Sequence, residues 1–149
     1  FSLMPQELSD KLEPGTSKII DRIKAINDFI EAGYDVHVNY SPIIVYENSK
    51  KAYAELFDLV DTQVHNLFKH KVKAECIFLT HNEDMHKFNL TEGVEGENLL
   101  WRSELQEAKT SQYGGRNIRY KHDIKRHYIN AFRNAMKRHV PWQEIRYIF

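Results

Sequence analysis

A single cysteine, Cys76, is all the thiol that this chain of 149 residues carries. No disulfide can form within it, and a reducing, cytoplasmic setting is the expectation. One thiol also cannot hold a zinc ribbon or an iron–sulfur cluster. Six glycines and four prolines are too few for a collagenous or disordered chain. No apolar run approaches the roughly 18 residues of a membrane span, and no secretory signal opens the sequence, so no membrane partner is expected. Net charge is absent too, with 21 basic and 21 acidic residues. What remains is an ordinary globular balance of 42% hydrophobic and 28% charged residues, enough for one domain with a sizeable core. The opening Phe1-Ser2-Leu3-Met4-Pro5 has no initiator Met, and reads as a cut inside a larger protein or as a processed or trimmed chain.

The zero net charge hides an asymmetry. Between Lys109 and His139 stand nine basic residues and one acid, Asp123, with His122, His127 and His139 among them. Such a block fits an anionic partner, nucleic acid being the commonest, or else a solvated basic helix face.

Periodicity supplies the elements. After the turn Glu13-Pro14-Gly15, Thr16 or Ser17 is placed to cap a helix whose apolar face is Ile19, Ile20, Ile23, Ile26, Phe29 and Ile30, ended by Gly33. Residues 34–40 alternate as a strand, Pro42 makes a strand end, bulge or turn, and Ile43-Ile44-Val45 resumes an extended run. A helix over 50–67 carries Tyr53, Leu56, Phe57, Val60, Val64 and Leu67 on one stripe. A strand follows over 71–80, then a polar stretch of loops and short helices over 81–110. A helix over 123–139 starts at an acidic cap, buries Tyr128, Ile129, Phe132, Ala135 and Met136, and stops at Pro141. A last strand covers 144–149, with Ile145, Tyr147 and Phe149 on one face. Strands alternating with helices predict an α/β fold with parallel βα units. The expected division is 1–110 for the βα units and 111–149 for a basic hairpin, helix and closing strand.

Residues 111–121 hold the most chemistry. Gly114-Gly115 between two extended arms predicts a hairpin, and Tyr113, Arg116, Arg119, Tyr120 and Lys121 interleave cations with rings. Cations neutralise phosphates, rings stack on displaced bases, and a glycine-hinged tip can enter a groove. The plainer reading is a surface hairpin whose tyrosines pack on the domain. His65 and His70, like His81 and His86, are five apart rather than at the helical i, i+4 spacing, and no evident carboxylate set completes them. No metal site is therefore expected. Cys76 lies in an apolar strand and reads as a buried small hydrophobe. No catalytic residue is assigned.

Several stretches together resemble the C-terminal half of the spore photoproduct lyase family of radical S-adenosylmethionine DNA-repair enzymes. They are Phe1-Ser2-Leu3, Glu13-Pro14-Gly15-Thr16-Ser17, Ala32-Gly33-Tyr34, Ser41-Pro42-Ile43, Tyr113-Gly114 with Tyr120 and Asp123, and the terminal Ile145-Arg146-Tyr147-Ile148-Phe149. The resemblance implies the C-terminal portion of a partial TIM barrel, with a DNA-contacting β-hairpin and a C-terminal helix and strand. It implies S-adenosylmethionine and a [4Fe-4S] cluster as cofactors, the cluster ligands lying outside this chain in a missing N-terminal half. It implies a 5′-deoxyadenosyl radical that abstracts hydrogen from a thymine dimer lesion. Ser2 and Ser41 correspond to cofactor-pocket positions, and Gln112, Tyr113, Arg116, Arg119, Tyr120 and Lys121 to the hairpin on lesion-bearing DNA. Gln112 and Asn117 stand where basic residues are usual in the family, and the family's hydrogen-donating cysteine has no counterpart here. Two further readings stay open: a radical S-adenosylmethionine enzyme on another substrate, and a non-enzymatic nucleic-acid binding module. This chain alone is expected to be inactive.

Overall fold

Polar and apolar residues alternate along the two longest strands, and the architecture follows from which phase each strand buries. The computed structural model describes residues 1–110 and 114–149. Its elements in chain order are β1 (Ser2–Leu3), α1 (Gln6–Leu12), α2 (Ile19–Glu31), β2 (His37–Ile43), α3 (Ser49–Gln63), a 3₁₀ turn (Lys69–Lys71), β3 (Lys73–Phe78), β4 (Thr80–His81), α4 (Glu83–Thr91), α5 (Glu97–Leu100), β5 (Gln106–Thr110), β6 (Arg116–Tyr120), α6 (His122–His139) and β7 (Ile145–Ile148). β1, β2, β3 and β7 form one parallel sheet in that spatial order. β4, β6 and β5 form a second, antiparallel sheet. The α/β class and the parallel βα units are as the pattern predicts. Among the described residues no helix is long and apolar enough to cross a membrane.

Val38 and Tyr40 of β2, and Ala74, Cys76 and Phe78 of β3, are buried beneath the helices, while His37, Asn39, Ser41, Lys73, Glu75 and Ile77 point to a half-buried opposite face. The helices supply the other half of the core. Ile19, Ile23, Ile26 and Ile30 of α2 recur at helical spacing and are buried. Phe29, expected on that face, is exposed instead and meets Phe1 and Tyr34 edge-on or tilted at the surface. Gly33, at φ +90°, ends α2 in a Schellman turn: Tyr34 N–H donates to Phe29 O and Gly33 N–H to Ile30 O. Phe132 of α6 is the hub of the aromatic core. Its ring centroid lies 5.0 Å from Phe57, 5.2 Å from Tyr53, 6.0 Å from Tyr40 and 6.2 Å from Phe78, all at edge-on angles, which the ring quadrupole favours. Cys76 is buried, and burial pushes its thiol up to about 12, as expected of a small core hydrophobe.

Several boundaries differ from the sequence reading, each for a physical reason. Neither Thr16 nor Ser17 caps α2. The Ile19 N–H is taken by Gln6 Oε1 at 2.8 Å, from the unforeseen helix α1. Of the three readings open for Pro42, the bulge is the one that fits: the proline lies within β2, after a cis Ser41–Pro42 bond, where the register with β3 slips between Tyr40 and Ile43. The helix over 50–67 stops at Gln63, and α6 begins one residue before Asp123, which sits in the first turn rather than at the cap. The stretch 81–110 holds a true strand, β5, whose residues after Gln106 are all exposed. It has no apolar alternation to announce it, and backbone pairing with β6 holds it in place. The expected boundary at 110/111 falls between these two paired strands, and β7 joins the main sheet beside β3.

Replacing Phe132 by Ala removes the ring that four aromatic neighbours pack against. The expected loss is about 3–5 kcal/mol, read from urea unfolding with the slope unchanged.

Candidate functional site

In a parallel α/β sheet the carboxyl ends of the strands are where loops gather ligands. Here a segment held by tyrosine hydroxyls and a basic platform rising from β3 stand at that end, and a polar row crosses the open face before it.

The polar row follows from register. Ser2 pairs with Asn39, Asn39 with Glu75, and Glu75 with Tyr147, so one residue from each parallel strand lines up across the open face. Glu75 is satisfied: Tyr147 Oη donates to it at 2.6 Å, Arg146 at 2.6 Å, and His37 Nδ1 lies 3.4 Å away. The Tyr147 hydrogen bond, with Arg146 and His37 beside it, holds the Glu75 carboxyl below its usual range. Asn39 is not satisfied. Its buried Oδ1 finds no hydrogen-bond partner among the described residues, a state that buried polar atoms rarely keep. Ser2 Oγ donates to the Ser41 carbonyl oxygen at 3.0 Å. The structure thus brings Ser2 and Ser41 together, with the orphaned Asn39 amide between them and Glu75. A polar ligand offering a donor to Asn39 fits this floor. A metal cluster does not, since Cys76 lies under the helices with its sulfur 3.9 Å from Met136 Sδ.

Beyond β2 the chain runs through Ile44 and Val45 without strand pairing. Their buried N–H groups go to two tyrosine hydroxyls, Tyr53 Oη at 3.0 Å and Tyr120 Oη at 2.9 Å. Tyr120, expected on DNA, is therefore a core residue, and burial pushes its hydroxyl up to about 12. It faces inward because β6 alternates and its apolar phase, Ile118 and Tyr120, is buried.

The platform is the second sheet. β4 starts two residues after β3 ends, so the hairpin of β5 and β6 is planted at the strand ends. β5 and β6 are paired antiparallel from Gln106–Tyr120 to Thr110–Arg116, so the second arm of the predicted hairpin is a strand, while its first arm, 111–113, lies outside the described residues. Gln112 and Tyr113 lie outside the described residues. The remaining expected contacts separate. Arg116 shares a face with Ile118 and Tyr120 and lies 3.5 Å from Glu83 of α4. Arg119 lies on the opposite face, in register with Glu107. Lys121 precedes α6 as its N-cap residue, and its ammonium donates to Glu104 O at 2.9 Å.

Arg119 gathers cations that the sequence reading did not single out. Partial burial, followed by the Arg119 and Lys109 charges, holds the Lys125 ammonium below its usual range. By register Lys109 and Arg119 share one face of the paired strands, and both charges act on Lys125. Lys125 Nζ also stands 5.9 Å from the ring centroid of Phe149, whose N–H reaches Cys76 O beside β3. The cluster thus sits against the strand-end edge and suits phosphate oxygens. The basic run predicted its sign, but only the pairing of β5 with β6 joins Lys109 to Arg119. The histidines hold another surprise. Glu97 of α5 supplies the carboxylate whose absence argued against a site at His81 and His86: its Oε1 lies 3.0 Å from His81 Nε2 and touches His86 Nδ1.

The sequence model of the spore photoproduct lyase family matches residues 1–149. Spore photoproduct lyase of Bacillus subtilis (strain 168) is 30% identical over 77 residues, covering 52% of this chain and 22% of that protein. Among solved structures, a spore photoproduct lyase variant with bound AdoMet and dinucleoside spore photoproduct superposes with a TM-score of 0.89 at 21% identity, over 100% of this chain. Spore photoproduct lyase complexed with dinucleoside spore photoproduct does the same, at 0.89 and 21%. In both cases this chain spans 44% of the solved chain.

Two outcomes test the geometry. Tyr120→Phe leaves the Val45 N–H unpaired in the core and is expected to cost about 1–3 kcal/mol, read by denaturant unfolding. Glu75 has a folded pKa below its unfolded value. Its contribution to stability is present above the unfolded value and lost as pH falls through the folded one. Glu75→Gln is expected to flatten the acid limb of the stability profile, measured by thermal unfolding from neutral pH downwards.

Proposed function

The chain belongs to the spore photoproduct lyase family, and from that membership we propose that it forms the strand-end and DNA-gripping part of a radical S-adenosylmethionine enzyme that reverses a thymine dimer lesion in DNA. The observation that carries the reading is a link between two unlike surfaces: Tyr147, the last member of the polar row, stacks on Phe149, and the Lys125 ammonium stands over that ring. One is a polar floor with an orphaned acceptor, and the other is a cluster of three cations on a hairpin platform. The lesion ligands and the AdoMet named for the solved relatives support the same pairing of a small polar cofactor with a nucleotide substrate.

On this reading Ser2, Asn39 and Ser41 hold part of S-adenosylmethionine. The Asn39 amide oxygen accepts from a donor on the cofactor, and the Ser2 hydroxyl stays oriented by the Ser41 carbonyl. When bound beside a [4Fe-4S] cluster ligated outside this chain, the cofactor supplies hydrogen abstraction at the lesion. The parallel strands follow one another across the sheet without reversal. This order supports a segment of a partial TIM barrel with the polar row turned inward, completed by the rest of the protein. Lys109, Arg119 and Lys125 take phosphates on one side of the hairpin. Arg116 reaches backbone on the other, and for Gln112 and Tyr113 a role at the lesion rests on the family resemblance alone.

The deciding experiment supplies full-length protein, reduced and given S-adenosylmethionine, with an oligonucleotide carrying spore photoproduct. Restoration of two thymines is expected. Cofactor cleavage without loss of the lesion overturns the substrate. DNA binding with no cofactor requirement and no turnover overturns the enzyme reading in favour of a binding module. Replacing Lys109, Arg119 or Lys125 by Ala is expected to weaken DNA binding and reduce the slope of log K against log salt by about 1 per lost phosphate contact. The same change at Lys121 is expected to move that slope less.

A further inference from the structure

Glu97 is the most enclosed carboxylate of the chain's second sheet region, with its side chain 5% exposed. Burying a carboxylate is costly unless positive charge comes with it. The contacts that reach Glu97 are His81, His86 and Asn89. The two imidazoles aim at the same oxygen, Oε1, with Nε2 of His81 and Nδ1 of His86. The Asn89 amide donates to the other oxygen, Oε2, at 2.5 Å. All three ligand-type atoms lie within 4.8 Å of one another.

We propose that His81, His86 and Glu97 form a binding site for a divalent transition-metal ion, zinc by its chemistry, which fastens β4, α4 and α5 together beneath the hairpin. Two neutral imidazoles and one carboxylate are an accepted zinc donor set, with a water in the fourth place. Bonds of about 2.0–2.1 Å to a tetrahedral ion put ligands a little over 3 Å apart, which small side-chain rotations achieve from the present separations. The surroundings orient the donors as outer partners do at metal sites. Asn89 fixes the free carboxylate oxygen. Trp101 stacks on His86 at 4.1 Å and 12°, and meets His81 edge-on at 5.9 Å. His81 is 8% exposed but His86 is 22% exposed, so solvent reaches one side, where the fourth ligand and the route for the ion belong. The five-residue spacing of the histidines is no objection, since His81 lies on a strand and His86 on a helix. The site has a structural consequence. His81 pairs with Ile118 across β4 and β6, so an ion here ties the hairpin root to both short helices.

The test uses the full-length protein, with metal content measured after equilibration with zinc alone and with cobalt(II) alone. His86→Gln and Glu97→Gln are compared with the wild type, Glu97→Gln keeping the side-chain shape. The wild type is expected to hold one equivalent more zinc than either variant. The cobalt form is expected to show visible bands of nitrogen and oxygen ligation that both variants lose, without the thiolate charge transfer that cluster cysteines give. Zinc should raise the wild-type melting temperature and leave the variants unmoved. Equal metal content in wild type and variants, or a wild-type melting temperature indifferent to zinc, overturns the site and leaves a proton-compensated ion pair in its place. Lesion repair is read separately, so the failure of one proposal does not carry the other with it.

Discussion

Helices seal one face of the parallel sheet while the other stays half-open, and the rest of the molecule answers to that constraint. All-parallel sheets are ordinarily covered on both faces. On the sealed side, α2, α3 and α6 bring Ile23, Phe57 and Phe132 against Val38, Tyr40 and Phe78, and the core is rich in aromatic rings. On the other side each strand contributes a polar residue to a single row. Glu75, Tyr147, Arg146 and His37 satisfy one another there, joining β2, β3 and β7 without a helix above them. That network makes an open face tolerable, and on that face Asn39 Oδ1 is left without a partner among the described residues.

The hairpin platform depends on the same constraint at one remove. A strand that leaves the sheet must find partners for its backbone N–H groups. For Ile44 and Val45 these are Tyr53 from α3 and Tyr120 from β6. The second bond spans 75 residues of sequence and ties the antiparallel sheet to the exit of β2. A basic surface can be aimed at the strand ends only if its root is rigid, and this hydroxyl helps to make it so.

Much of this was legible in the sequence. The isoleucines of α2, the stripe of α3 and the apolar phase of β3 all led to the right elements. What was not legible depended on partners distant in the chain. Gln6 caps a helix that Thr16 and Ser17 were placed to cap. β5 carries no apolar alternation, because backbone pairing rather than burial stabilises it. Glu97 lies 16 residues from His81 in sequence, so no local spacing rule could join them. Tyr120 is the instructive error. A tyrosine among cations reads as a stacking ring, but the two-residue period of a strand sends it to the same side as Ile118, and that side is the core.

The same period sorts the hairpin's charges. Had Arg116 and Arg119 lain on one face, they would have formed a single basic patch, and the hairpin would have had one wet side. Three residues apart on a strand, they point to opposite faces. Arg119 then joins Lys109 and Lys125 beside the strand ends, while Arg116 turns toward Glu83 and the helix whose His86 and Asn89 hold Glu97. One face of the platform is therefore positive. The other is where a buried carboxylate needs positive charge. A hairpin built this way can stay rigid on its inner side while its outer side meets an anionic polymer, because the residues that anchor it and the residues that reach outward occupy alternate positions on one short strand.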